Sequence, residues 1–116
     1  MNYLIKISVV LGVILSSCSG GDLPETAKTV EFKVWGNCGM CKKTIESSLA
    51  SQDNFFKYDW NQKTKIMNLS FDSTKTNVAE AQKLIASVGY DTEAFRGDDE
   101  AYSGLHKCCK YKRKEN

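Results

Sequence analysis

The chain has one proline, Pro24, and one histidine, His106, in 116 residues. Its formal net charge is only +2 at pH 7. Its longest apolar run, Ile7 to Leu15, falls well short of the ~20 residues a spanning helix needs. Each shortage removes a class of function. Near-neutral charge gives no electrostatic case for nucleic acid. A single proline near the start leaves none to face a reactive cysteine pair in the cis form, which argues against thioredoxin-type chemistry. No second CxxC pair is present, so a zinc ribbon's spacing is not met. The length fits one domain.

What is present is cysteine, five in all, an odd number. Cys18 accounts for the odd one. Residues 1–17 read as a secretion signal, with Lys6 and the amino terminus as its positive start and Ile7 to Leu15 as its core. The signal ends in Leu15-Ser16-Ser17-Cys18, which resembles a bacterial lipobox. That resemblance implies acylation of Cys18, with palmitate-type chains holding the protein to a membrane of the cell envelope. Each buried CH₂ contributes about 0.8 kcal/mol to such an anchor. Residues 18–28, with Gly20, Gly21 and Pro24, then read as a tether.

Beyond the tether the hydrophobic period changes in a regular order. Thr29 to Trp35 alternates, with Val30, Phe32 and Val34 on one face, and reads as a half-buried strand. Met40 to Ala50 reads as a helix with Cys41, Ile45 and Leu49 at four-residue spacing. Phe55 to Trp60 is a strand with Phe56, Tyr58 and Trp60 on one face. Lys65 to Asp72 is another, with Met67, Leu69 and Phe71 inward. Val78 to Val88 carries a helical stripe of Val78, Ala81, Ile85 and Val88, which Gly89 ends as a left-handed cap. Tyr90 to Phe95 reads as a weaker fourth strand. Strand, helix, strand, strand, helix, strand is the ferredoxin-like α+β arrangement: βαββαβ, with two helices on one face of an antiparallel sheet.

The chemistry centres on Trp35-Gly36-Asn37-Cys38-Gly39-Met40-Cys41. Cys38 is expected on a turn and Cys41 in the first turn of a helix. Gly36, Asn37 and Gly39 suit unusual loop angles. The free amides of a helix N-terminus favour thiolate over thiol, and Lys42 and Lys43 add positive charge nearby. Two thiolates on a short loop can grip one soft cation such as Cu(I) or Zn(II). A redox or structural disulfide pair is the alternative reading of the spacing.

Residues 29–95 resemble a heavy-metal-associated domain, the family of small copper chaperones and mercury-binding proteins. The resemblance rests on Cys38-Gly39-Met40-Cys41 after the first strand, the helix behind it, and Gly89-Tyr90-Asp91 after the second helix. It implies a metal, usually Cu(I), held by Cys38 and Cys41, with Zn(II) or Hg(II) as other soft cargoes. It also implies a shielding loop that brings Tyr90 beside the site. The family commonly has Gly-Met two and three positions before the first cysteine, with the Met packed under the loop. Trp35 and Gly36 stand there in this chain, and Trp35 is expected to fill that space.

Residues 96–116 lie beyond the family's fold and form a basic tail. From His106 onward it holds five Lys/Arg against one Glu. Asp98 and Asp99 could cap a short helix with Tyr102, Leu105, His106 and Cys109 on one face. His106, Cys108 and Cys109 are the further soft ligands. Extended, the stretch from Phe95 to Cys108 reaches roughly 45 Å, enough to fold back across a small domain. The tail can therefore complete the loop site or build a second one. Adjacent cysteines are expected to strain if both face one ion, so one should dominate. The basic residues are expected to solvate the tail.

The sequence thus points to a monomeric, membrane-anchored, non-enzymatic protein. It would bind a soft metal ion and exchange it with a donor or acceptor protein of the envelope. Two alternatives stay open: a thiol–disulfide oxidoreductase, and a structural zinc module using Cys38, Cys41 and two of His106, Cys108 and Cys109.

Overall fold

The computed structural model describes residues 23–115, so the leader, Cys18 and the start of the tether lie outside the described residues. Alternating side chains make β1 of Ala27–Lys33. It pairs antiparallel with β3 of Ile66–Asp72, setting Val30 against Leu69 and Phe32 against Met67. β2 of Phe55–Trp60 pairs with the other edge of β3, so the order is β1-β3-β2.

A bulge between Phe55 and Lys57 shifts the register of β2. One extra residue moves the side chains that follow to the opposite face. Phe55 and Trp60 are consequently both buried, and Phe56, expected in the core, is exposed.

α1 of Gly39–Ala50 buries Cys41, Ile45 and Leu49, as its four-residue spacing requires. α2 of Val78–Ser87 starts at Asn77, whose side chain accepts from the Glu80 amide at 2.9 Å. Both helices lay their buried residues on the core that holds Met67 and Leu69. This is the α+β ferredoxin-like fold.

After α2 the chain turns at Gly89, with φ +100°, a left-handed conformation that glycine adopts without steric cost. The fourth strand is then cut short. It survives as one antiparallel bridge, Val34 to Thr92, flanked by hydrogen bonds from Trp35 N to Asp91 O and Glu93 N to Lys33 O. The cause is local. Thr92 N donates to Phe95 O, and Phe95 N donates to the Thr92 hydroxyl, closing a turn. Gln82 Oε1 takes the Ala94 amide at 2.9 Å. Backbone groups that would extend the ladder are used elsewhere.

The tail is a folded strap. Asp98 caps α3 of Asp99–Ser103, Gly104 ends it, and Lys107–Cys109 forms one 3₁₀ turn. The longer helix expected through Cys109 does not form. Tyr111 is the strap's anchor. It is buried, stacks on Tyr90 with ring centroids 5.5 Å apart, and meets Tyr102 edge-on at 5.1 Å. Its hydroxyl donates to Gly89 O at 2.7 Å and accepts from Asp91 N at 2.8 Å. Burying such a ring contributes about 2–3 kcal/mol. Three of the five cations from His106 onward fasten it, while Lys107 and Lys112 are exposed as expected. Lys110 Nζ donates to the Tyr102 and Ser103 carbonyls, Lys114 Nζ to Thr92 O, and Arg113 to Asp91.

Candidate metal centre

Cys38 is the N-cap of α1, in extended backbone, and Cys41 sits one turn later with no exposure. Their sulfurs are 3.8 Å apart. Asn37 N donates to Cys41 Sγ at 3.4 Å and so shapes the loop around it. The Cys41 amide pulls the Cys38 pKa down from 9.0 to about 6. Burial opposes this, and the Cys108 and Cys109 thiols and the Met40 amide assist it. Cys38 is thus a thiolate near neutral pH.

The two glycines before Cys41 do not use glycine's backbone freedom, since Gly89 is the one described glycine with positive φ. Gly36 provides room instead. A Cβ there would stand 2.9 Å from Trp60 Cη2 and 3.4 Å from Cys41 Cβ. Trp60 is fully buried, and its indole N–H donates to Val34 O at 3.0 Å. It therefore occupies the space under the loop expected for Trp35. Gly36→Ala should push on this ring and cost roughly 1–3 kcal/mol, the usual range for overpacking. Urea unfolding of the metal-free protein checks it, and an unchanged midpoint would show that Trp60 can move aside.

Trp35 faces elsewhere. Its ring lies 4.5 Å from Lys33 Nζ and 5.7 Å from Lys114 Nζ. These residues line a cleft of about 590 Å³ together with Asn37, Lys65 and Lys112; no cysteine lines it. Lys42 also turns from the thiols. Its ammonium sits 2.6 Å from both Glu46 Oε2 and Asp59 Oδ1 and donates to Trp60 O.

The strap brings the tail's cysteines to the loop. Cys109 Sγ lies 3.6 Å from Cys38 Sγ, and Cys108 Sγ lies 3.9 Å from Cys109 Sγ. The sulfurs of Cys38, Cys108 and Cys109 all lie within 4.8 Å of one another. The 3₁₀ turn brings both neighbours to the loop, Cys109 buried and Cys108 exposed. His106 is left out. It is exposed at the turn's start, where its carbonyl accepts from Cys109 N. Asn37 Nδ2 to Cys108 O, at 3.5 Å, ties the loop to the strap. Met40 Sδ lies 3.5 Å from Cys108 Sγ, a fifth sulfur that spacing alone did not single out.

Tyr90 is wholly buried, and its hydroxyl has no hydrogen-bond partner among the described residues. Burial first, then the thiols of Cys41 and Cys109, raises its pKa well above the ordinary range. It is a protonated donor beside sulfur. Burial likewise pushes the Cys109 thiol up, with Cys41 and Cys38 adding to it. Cys38 raises Cys108. Cys38 is thus ionised more readily than Cys108 and Cys109. In the reduced, metal-free protein, iodoacetamide should label Cys38 half-maximally near pH 6, because labelling rises as pH climbs through a thiol's pKa. Cys108 should need distinctly more alkaline solution. Peptide mapping over a pH series checks this, and equal labelling of both at pH 7 would contradict it.

The donor set fits a soft ion. Tetrahedral thiolates about 2.3 Å from a metal lie ~3.8 Å from each other, close to the separations seen here. The orphaned Tyr90 hydroxyl adds a donor for a metal-bound thiolate.

No family model matches the chain, and neither does any curated protein. Solved structures do match it. It is similar to a CopZ metallochaperone, with TM-score 0.54 and 29% identity over 56% of this chain and 98% of that one. It is similar to oxidized MerP from Ralstonia metallidurans CH34, with TM-score 0.54 and 28% identity over 58% of this chain and 94% of that one. A ZiaAN mutant, at 24% identity and TM-score 0.51, shares the fold. Each match takes up nearly all of the neighbour and little more than half of this chain. The chain therefore carries a heavy-metal-associated fold, similar to copper chaperones and to MerP, with a cysteine cluster suited to a soft metal.

Proposed function

We propose that this protein binds Cu(I) through Cys38 and Cys41, with Cys109 and Cys108 closing over the ion, and passes it on or sequesters it. The observation that carries the reading is the 3.6 Å approach of Cys109 Sγ to Cys38 Sγ, beside the 3.8 Å loop pair. Thiolate and thioether donors favour Cu(I), and Met40 adds a thioether next to Cys108. Exchange would proceed thiolate by thiolate. An acceptor's cysteine enters at exposed Cys108 while Cys38 and buried Cys109 still hold the ion. The role is binding and transfer, not catalysis. A structural zinc module has less support, because the core is already closed by Trp60, Met67, Leu69 and Ile85.

Anaerobic titration of the reduced protein with Cu(I) against a competing chelator, with Zn(II) in parallel, tests the reading. Tight Cu(I) binding supports it. Preferred Zn(II) binding with a raised melting temperature would favour the structural module, and binding of neither would favour disulfide exchange. The resemblance of Leu15-Ser16-Ser17-Cys18 to a lipobox supports anchoring on a membrane of the cell envelope, facing a metal donor or acceptor there. Cys18→Ala should release it from membranes, and unchanged fractionation would defeat the anchor.

A further inference from the structure

The sulfurs make a bent line of successive contacts: Cys41 to Cys38 at 3.8 Å, Cys38 to Cys109 at 3.6 Å, Cys109 to Cys108 at 3.9 Å, and Cys108 to Met40 at 3.5 Å, with Cys38 and Cys108 also within 4.8 Å of each other. Cys41 stands outside the mutually close trio of Cys38, Cys108 and Cys109. The inner end of the line is buried at Cys41, and the outer end is exposed at Cys108 and Met40.

The line divides into two overlapping sets. The inner set is Cys41, Cys38 and Cys109. The outer set is Cys38, Cys109 and Cys108, with the Met40 thioether alongside. Cys38 and Cys109 belong to both. A thiolate sulfur has lone pairs enough to bridge two soft cations. Cu(I) accepts three sulfur donors, whereas Zn(II) takes four in a tetrahedron. Four cysteines therefore make one complete zinc set but two three-sulfur copper sets with two shared members.

We propose that the site holds two Cu(I) ions, one in each set, bridged by the Cys38 and Cys109 thiolates. This rests on the copper reading above and deepens it. Loading leaves copper as Cu(I) and sulfur unoxidised. Each thiol still protonated releases its proton to solvent as its sulfur–copper bond forms. Two Cu⁺ against four thiolates leave a net charge of −2 on the cluster. The α1 N-terminus partly offsets this charge, and the Tyr90 hydroxyl can donate to a sulfur of the inner set. The outer ion is the exchangeable one, because its exclusive donors are the exposed ones.

The test uses the intact chain, reduced, anaerobic and in detergent. Cu(I) is added against a chromogenic Cu(I) chelator. Native mass spectrometry reads ions per chain, and X-ray absorption reads copper–copper scattering. Two Cu(I) per single chain with a short copper–copper path, against one Zn(II), is the expected result. Cys108→Ser, a change at an exposed side chain, should cut the count to one and remove that path. A wild-type plateau at one Cu(I) would overturn the dinuclear site and leave the copper reading standing. Two ions retained in Cys108→Ser, or two found only in dimers, would also overturn it. No Cu(I) binding at all would overturn both.

Discussion

Cys38→Ser with Cys41→Ser is expected to abolish tight Cu(I) binding. Four-ligand thiolate and imidazole sites of this size are worth roughly 10–16 kcal/mol, or about 2.5–4 kcal/mol per ligand. Each ligand lost then weakens binding by a factor of several hundred, and the pair by on the order of 10⁵. Cys38 should be the costlier of the two singly. It touches Cys41 and Cys109 at once, and its pKa is depressed to about 6, so it binds metal without first losing a proton at neutral pH. Competition with a chelator of known affinity measures this. A double mutant that keeps wild-type affinity would move the site to Cys108, Cys109 and Met40.

Asp91→Asn is expected to release the strap and cost about 3–5 kcal/mol, the range for breaking a buried charge pair from one side. The Asp91 carboxylate is fully buried and accepts from Arg113 Nη2 at 2.7 Å, Gly97 N at 2.7 Å and Lys114 N at 2.9 Å. Asparagine keeps the shape but removes the charge and one acceptor, leaving Arg113 short of its buried partner. Burial works against ionisation of Asp91, yet Arg113 and the Lys114 and Gly97 amides outweigh it and hold the pKa below the usual 3.8. A depressed carboxyl pKa stabilises the fold above the unfolded value and loses that contribution as pH falls through the folded one. The clamp therefore opens in acid, below about pH 4, and is insensitive to mild alkali. Maleimide labelling of Cys109, buried in the folded strap, reads the release directly. Equal labelling of wild type and variant would show that Tyr111 alone keeps the strap down.

These two effects bear on different parts of the chain, and the parts were unequally legible. Cys41, Ile45 and Leu49 repeat every fourth residue, so the face of α1 was readable before any packing was known. The Gly89 cap was readable for the same local reason, and its φ of +100° agrees. The fourth strand was misread because its backbone is claimed by Gln82 and the Thr92 turn, partners that no alternation displays. Phe56 was misread because a bulge inserts a residue without changing composition. Trp60 under the loop and Met40 beside Cys108 looked like ordinary apolar positions in their own elements. Gly36, two positions before Cys38, was the available hint that something large lies close beneath the loop.

The sequence by itself determined the order of elements, their inward faces and the spacing of Cys38 and Cys41. These depend on residues a few positions apart, where helix and strand periods act. Only the tertiary structure decided that Cys109 meets Cys38 and that His106 does not join them. That meeting spans 71 positions. It is set by Tyr111 between Gly89 and Asp91 and by Arg113 on Asp91. Such contacts arise when distant segments compete for the same buried partners, and no local period carries their outcome.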